Sequence, residues 1–355
     1  MHSASPIAQR RATSRRAARE TGGVRAWIID QPGPIEGHSL RLVNRPVPEP
    51  GPGEILVAVA ACGVCRTDLH LALGELAPRR HGVVPGHEVV GTVTAKGPGA
   101  TRFAPGDRVG IAWLRGTDGT CEFCRRGAEN LCRDPSFTGW DADGGYAEYA
   151  VVDERFAYQI PARLTDVEAA PLLCAGIIGF RALRRAALPP GGRLGIYGFG
   201  ASAHLAAQVA LHEGATVHVM TRSADARRLA LELGAASAQG AVDPPPEPLD
   251  AAILFAPAGE IVPAALRALE RGGTLAVAGI YLSEIPALDY ESELFYEKNL
   301  RSVTANTRAD GEEFLRIAGA ARLRVVATPY ALDRADEALA DLAADRFEGA
   351  AVLVV

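Results

Sequence analysis

The run Arg193-Leu194-Gly195-Ile196-Tyr197-Gly198-Phe199-Gly200-Ala201-Ser202-Ala203 decides how the second half of the chain is to be read. Residues of strand character meet a glycine turn, and a helix-forming segment follows as far as Glu213. In such a turn the first glycine, Gly198, permits the tight bend. The second, Gly200, lets the backbone approach a pyrophosphate at the helix N-terminus. Ala203 stands at the third glycine position, where only a small residue packs and alanine serves. Glycines at strand ends are common, so the turn alone is weak evidence. Here a strand precedes it, a helix follows, and a second strand, 217–220, lies where the fingerprint needs one. The reading is a dinucleotide-binding unit.

Working outward, helical patterns at 167–170, 201–213, 225–233 and 261–269 alternate with short apolar strands at 192–197, 216–220, 251–255 and 274–278. This alternation predicts an α/β architecture, a parallel sheet covered by helices on both faces. Two more helical patterns, near 311–318 and 334–342, precede a final apolar strand, 351–355. Upstream, from Val24 to about Val151, Val-rich runs such as 54–60 and 89–94 are broken by Gly and Pro. Pro48-Glu49-Pro50-Gly51-Pro52-Gly53 and Ala104-Pro105-Gly106-Asp107 read as turns, because Pro presets φ and Gly supplies positive φ. The pattern is that of an all-β unit and fits a barrel or a sandwich equally.

Length and composition bound the function. A chain of 355 residues holds two domains, each with its own core. With 48% hydrophobic and 22% charged residues it reads as soluble and globular. A net charge of −5 gives no basic footprint for nucleic acid, and no apolar run approaches the roughly 18 residues of a membrane span. Six cysteines, several at ligand spacing, favour metal sites in a reducing, cytoplasmic compartment over a disulfide framework. Residues 1–22 are rich in Arg, Ala and Ser and are expected to be a disordered leader.

The chemistry concentrates in Cys62-Gly63-Val64-Cys65-Arg66-Thr67-Asp68-Leu69-His70 and, downstream, Pro85-Gly86-His87-Glu88. Zinc takes sulfur and imidazole donors, and a catalytic zinc keeps one position open. Cys65 and His87 would supply two ligands, and Cys174, in Pro171-Leu172-Leu173-Cys174-Ala175-Gly176, is the best-placed third. Cys62 and Cys65 could instead be a redox pair or half of a zinc ribbon. A ribbon needs a second pair roughly 15–20 residues on, and none lies there.

These motifs, with Cys121/Cys124/Cys132, Gly144-Gly145-Tyr146-Ala147-Glu148-Tyr149 and Gly198-Phe199-Gly200, resemble the zinc-dependent alcohol dehydrogenases of the medium-chain dehydrogenase/reductase superfamily. The resemblance runs, in order, over roughly residues 23 to 355. It implies a GroES-like, partly open β-barrel catalytic domain (23–165 and 306–355) with a structural-zinc lobe at about 114–133. A Rossmann domain, a doubly wound parallel sheet, would span 166–305. It also implies NAD(P), two zinc ions per chain and a homodimer or homotetramer. The catalytic zinc would sit on Cys65, His87 and Cys174, with Glu88 behind the metal and Asp68 holding His87 in one tautomer. Thr67 would take the alcohol proton and pass it, through the cofactor ribose, to His70.

Four departures stand out. Asp118 occupies the first of four cysteine positions in the structural site, leaving Cys121, Cys124 and Cys132; aspartate is an acceptable but harder donor, and the alternative is a lost metal with three free thiols. Ile178 stands where many relatives have threonine. Ala350 stands where many have an arginine on the pyrophosphate, a contact Arg66 would take over. At the end of the second strand, where an acid selects NAD, the chain has Thr221, Arg222 and Ser223, which favours NADP(H).

The activity implied is reversible hydride transfer between a primary or secondary alcohol and NAD(P)+, with Trp113 and Trp140 as candidate pocket walls. The alternative is a related zinc reductase acting on C=N or conjugated C=C bonds. A zinc-free quinone or enoyl reductase would lack Cys65, His87 and Cys174, and a binding module would need no open zinc.

Overall fold

The structure, a computed structural model, describes residues 23–35, 39–347 and 349–355. The segment 1–22, read as a leader, lies outside the described residues. The chain forms two compact units. One comprises the described residues up to Glu122, then Cys132–Cys174 and Val326–Val355; the other comprises Phe123–Leu131 and Ala175–Val325.

The first unit is built on the strand Glu54–Val64, whose Ile55, Val57, Ala61 and Cys62 are wholly buried. It pairs antiparallel with Val89–Lys96 along one edge. Along the other it pairs with Tyr149–Asp153 at its start and Ala350–Val354 at its end. Register shifts at Leu56/Val57 and Val59/Ala61 mark bulges, which bend a strand and increase its twist. The sheet continues through Arg108–Ile111 to Ala157–Gln159 on one side and to Ala327–Ala331 on the other, and stays open between those edges. The last strand of the chain is thus a partner of the first unit's central strand. Helix Ala335–Ala343 presents the buried stripe Ala335, Ala338 and Leu339, spaced i, i+3, i+4, to that sheet.

The second unit is a six-stranded parallel sheet. Its order is Ser237–Gln239, Thr216–Met220, Arg193–Tyr197, Leu249–Leu254, Leu269–Val277, Asn299–Ser302. Counted along the chain this is 3-2-1-4-5-6, the doubly wound arrangement in which ligands bind beyond the carboxyl ends at the point where strand order reverses. That point lies between Arg193–Tyr197 and Leu249–Leu254, and the glycine turn sits there. Gly198 has φ +85, and a Cβ on it would lie 2.8 Å from the Ala256 nitrogen, so both conformation and space require glycine.

Helix Arg308–Ala321, assigned by sequence to the first domain, groups with the second unit instead. Phe314 meets Phe180 with ring centroids 5.9 Å apart, and Asp310 binds Arg181 at 2.5 Å. The segment 123–131 is likewise held there, by the Glu129 carboxylate on Arg308 and by Asn130 on the Thr304 carbonyl. Among the described residues no helix is long and apolar enough to cross a membrane.

Candidate active site and metal centres

Cys65 ends the central strand region and caps helix Arg66–Leu73. The Asp68 carboxylate closes the cap from within, accepting the Cys65 N–H at 2.9 Å. Its other oxygen accepts the Gly86 N–H, also at 2.9 Å, and so ties the helix to the loop that carries His87. Asp68 is buried, and its Oδ1 lies 3.6 Å from His87 Nδ1. It therefore faces the imidazole from beyond hydrogen-bond distance, with its stronger bonds going to backbone. Gly63 has a role here too: a Cβ on it would fall 1.7 Å from Glu88 Oε2, so the strand must be bare where the Glu88 side chain passes.

Cys174 arrives on a π-helical turn, Leu172–Gly176, directly after helix Asp166–Pro171. Pro171 has no N–H to donate and crowds the preceding turn, and wide turns of this kind recur at functional sites. The result is a compact group in which His87 and Glu88 are buried and the two cysteines are partly exposed. One ligand atom each from Cys65, His87, Glu88 and Cys174 lies within 4.8 Å of the others. The two sulfurs are 3.9 Å apart, far beyond a disulfide. Two zinc–sulfur bonds of about 2.3 Å at the tetrahedral angle put sulfurs about 3.8 Å apart. Spacing and donor chemistry both fit zinc.

The electrostatics of the metal-free chain point the same way. The Cys65 thiol is held well below its ordinary range, mainly by a hydrogen bond from Cys174 working against burial, with help from His87. Cys174 is pushed up by the same bond and by burial. For His87 burial is the largest influence and favours the neutral ring, yet Asp68 and Cys65 together raise it above the usual value. Burial drives Glu88 well up, and the Cys65 charge adds to it. Two thiols and a carboxyl crowd one point there, so ionising them together without a cation is costly, and a divalent metal would relieve that cost.

Thr67 is buried with Oγ1 3.8 Å from Cys65 Sγ. His70, one turn on and half-exposed, lies on the same helix face. Its Nδ1 is 2.5 Å from Glu75 Oε2, a partner that sequence reading did not single out. Trp113 sets its edge against the His87 ring at 5.0 Å and stacks on Phe137 at 4.8 Å and Trp140 at 5.9 Å. Phe137 was also missed; its only sequence signal was a short aromatic run before Trp140.

The second cluster is local to one loop. Asp118, Cys121, Cys124 and Cys132 bring their ligand atoms within 4.8 Å of one another. Asp118 Oδ1 accepts the Thr120 and Cys121 N–H groups at 2.7 and 2.8 Å, and these bonds hold its carboxyl well below the usual range. Three sulfurs and an ionised oxygen fit a closed zinc site with one hard donor.

In the second unit, helix Ala201–His212 starts at Gly200 with no side-chain cap, and a Cβ on Gly200 would meet nothing within 4 Å. The helix end is open to an anion, as a pyrophosphate site requires. Ala203 is wholly buried. At the end of the second strand Thr221 is buried, Arg222 is exposed, and Ser223 caps helix Ala224–Glu232 by accepting the Ala226 N–H. Arg227, also missed, donates to the Thr221 and Arg222 carbonyls at 2.8 Å.

Residues 51–162 match the family model for the alcohol dehydrogenase GroES-like domain. A protein of Mycobacterium tuberculosis described as a probable alcohol dehydrogenase is 58% identical over 340 residues, 94% of this chain and 98% of that one. Among solved structures, a cinnamyl alcohol dehydrogenase from Sorghum bicolor aligns with TM-score 0.82 at 30% identity, covering 94% of this chain and 97% of its own. A cobalt- and zinc-bound thermostable alcohol dehydrogenase from Pyrobaculum aerophilum gives 0.83 at 28% identity, covering 94% and 100%. With this donor set and this strand order, similarity of that extent leaves one assignment: the chain belongs to the zinc-dependent alcohol dehydrogenases of the medium-chain dehydrogenase/reductase superfamily.

Proposed function

We propose that the chain is an NAD(P)-dependent zinc alcohol dehydrogenase that interconverts a primary or secondary alcohol with its aldehyde or ketone. The observation that carries this reading is the compact group Cys65, His87, Glu88 and Cys174 beside the Thr67 hydroxyl. Cys65, His87 and Cys174 would hold a zinc ion that would supply Lewis acidity toward the substrate oxygen, and a bound nicotinamide would supply the hydride chemistry. The chain's own residues do the rest. Asp68, anchored on the Cys65 and Gly86 N–H groups, keeps the capped helix and the His87 loop in register. Glu88 stands within reach of the same position and adjusts its charge. Thr67 takes the hydroxyl proton, and His70, steadied by Glu75, releases it toward solvent. Trp113, backed by Phe137 and Trp140, gives the substrate an apolar wall. A relay residue on each side of the proton's path favours C–O chemistry over reduction of C=N or conjugated C=C bonds.

The reading includes a second zinc at Asp118, Cys121, Cys124 and Cys132. It includes dinucleotide binding on Gly198, Gly200 and Ala203, with Arg66 on the pyrophosphate and a preference for NADP(H). Thr221, Arg222 and Ser223 carry no acid to repel a 2′-phosphate, and Arg222 and Arg227 offer planar cationic forks. None of the six cysteines is in a disulfide, which favours a reducing cytoplasm. Exposed Tyr290, Phe295, Tyr296 and Leu300 near the edge strand Asn299–Ser302 favour a homodimer or homotetramer.

Two experiments test the reading. A panel of alcohols, aldehydes, imines and enals, followed at the absorbance of the reduced nicotinamide, should show turnover on alcohols and carbonyls; turnover confined to imines or enals would replace it. Arg222→Ala should raise KM for NADP by about tenfold, the scale of one charge-assisted contact, and leave KM for NAD nearly unchanged. Thr221→Asp should invert the preference, and a wild-type enzyme far better with NAD would refute it.

A further inference from the structure

The Arg66 guanidinium is not free. Its Nη2 lies 2.6 Å from Asp345 Oδ1, a residue with no assigned part in the reaction. Arg66 is the first residue of helix Arg66–Leu73, so its charge adds to the positive end of the helix dipole, an anion-attracting combination. Asp345 follows helix Ala335–Ala343 in a left-handed conformation, φ +49, which aspartate tolerates better than most residues. Its neighbour Arg346 is turned away onto Asp341. Both members of the Arg66–Asp345 pair are well exposed, at 54% and 78% of their side-chain surface, so water and salt compete with the bond.

We propose that Asp345 is a positioning residue that sets cofactor affinity by holding Arg66 as an internal stand-in for the cofactor's phosphate. This rests on the reading of Arg66 as the pyrophosphate contact. Binding exchanges one anion on the guanidinium for another, and no covalent change is involved. Exposed pairs of this kind leave the cation free for roughly a sixth to two-fifths of the time. Apparent affinity falls by the same fraction, so the pair weakens cofactor binding roughly two- to sixfold. The effect should be equal for NADPH and NADH, because the pyrophosphate is common to both.

The test is a double-mutant cycle on the zinc-loaded full chain, with dissociation constants for NADPH and NADH from nucleotide fluorescence. Asp345→Asn should tighten both about threefold, and Asp345→Glu, which keeps the carboxylate, should stay near wild type. Arg66→Gln should loosen both about tenfold, and adding Asp345→Asn to it should change nothing further. If Arg66→Gln leaves binding unchanged, the reading of Arg66 fails and the proposal with it. If Arg66→Gln loosens binding but Asp345→Asn does not tighten it, only the proposal fails. A tightening by Asp345→Asn that persists in the Arg66→Gln background would make Asp345 a general source of repulsion and also overturn it.

Discussion

The two cysteine clusters use nearly the same donors and are made in opposite ways. The group at Cys65, His87, Glu88 and Cys174 draws on a capped helix, a tight loop and a π turn far apart in sequence. Cys65 and Cys174 meet only because the first unit folds. The group at Asp118, Cys121, Cys124 and Cys132 lies within one short loop, with Asp118 exposed and Cys132 buried. A metal bound there would hold one loop together, whereas at the first group the fold itself assembles the donors. The first cluster should therefore tolerate loss of metal structurally and not chemically, and the second should do the reverse.

The sharpest way to break this contrast is at a ligand. Cys65→Ala or His87→Ala should lower kcat by at least roughly 10³-fold, the scale of several kcal/mol of lost Lewis-acid stabilisation. Circular dichroism should stay that of the wild type; near-normal turnover would remove the first cluster from catalysis. Selective chelation is the next test. With one oxygen donor and an exposed edge, the loop cluster should lose zinc about tenfold faster than the more buried first one, and Asp118→Cys should slow that loss. Zinc release and residual activity, followed together by a chromogenic chelator and an alcohol assay, should separate into two phases. A single phase carrying all the activity away would show that the clusters are not independent.

The smallest effect concerns the tie next to the loop cluster. Glu129 is buried, and although burial alone would raise its carboxyl, the bonds from Arg308 hold it below the usual range. A carboxylate depressed by folding adds stability above its unfolded value near 4.3, and this is lost as pH falls through the lower folded value. Glu129→Gln should therefore cost about 1 kcal/mol near pH 7, after allowing for the half-exposed Arg308, and little below about pH 3. Thermal unfolding at the two pH values reads it; equal cost at both would mean the bond is not ionic in effect.

Most of what the sequence revealed was local. The glycine turn at Gly198 and Gly200, the alternation of strands and helices and the ligand spacing in the Asp118 loop all act over a few residues, and local chemistry suffices to read them. The central strand's partnership with Ala350–Val354 follows from the resemblance but not from any pattern in the chain. What stayed hidden were choices of side-chain partner. Glu75 on His70, Arg227 on the strand-end carbonyls and Asp345 on Arg66 are ordinary surface-type residues by composition, and Phe137 in the aromatic stack is an ordinary core-type one. Their importance comes from rotamers and from neighbours brought in by folding. The placing of helix Arg308–Ala321 failed for the same reason, since Phe180 and Arg181, which capture it, lie far back in the chain.

The π turn at Leu172–Gly176 makes the site sensitive to chain length as well as to residue type. Such a turn holds one residue more than an α-helical turn, and each α-helical residue advances about 100°. Deleting Leu173 would leave a regular helix of good composition and remove nothing that touches the metal. It would also rotate the Cys174 side chain by about a quarter turn relative to helix Asp166–Pro171, away from Cys65. Substitution scanning is blind to a constraint of this kind. In an alignment of related chains it would appear as a segment that varies in letters but never in count.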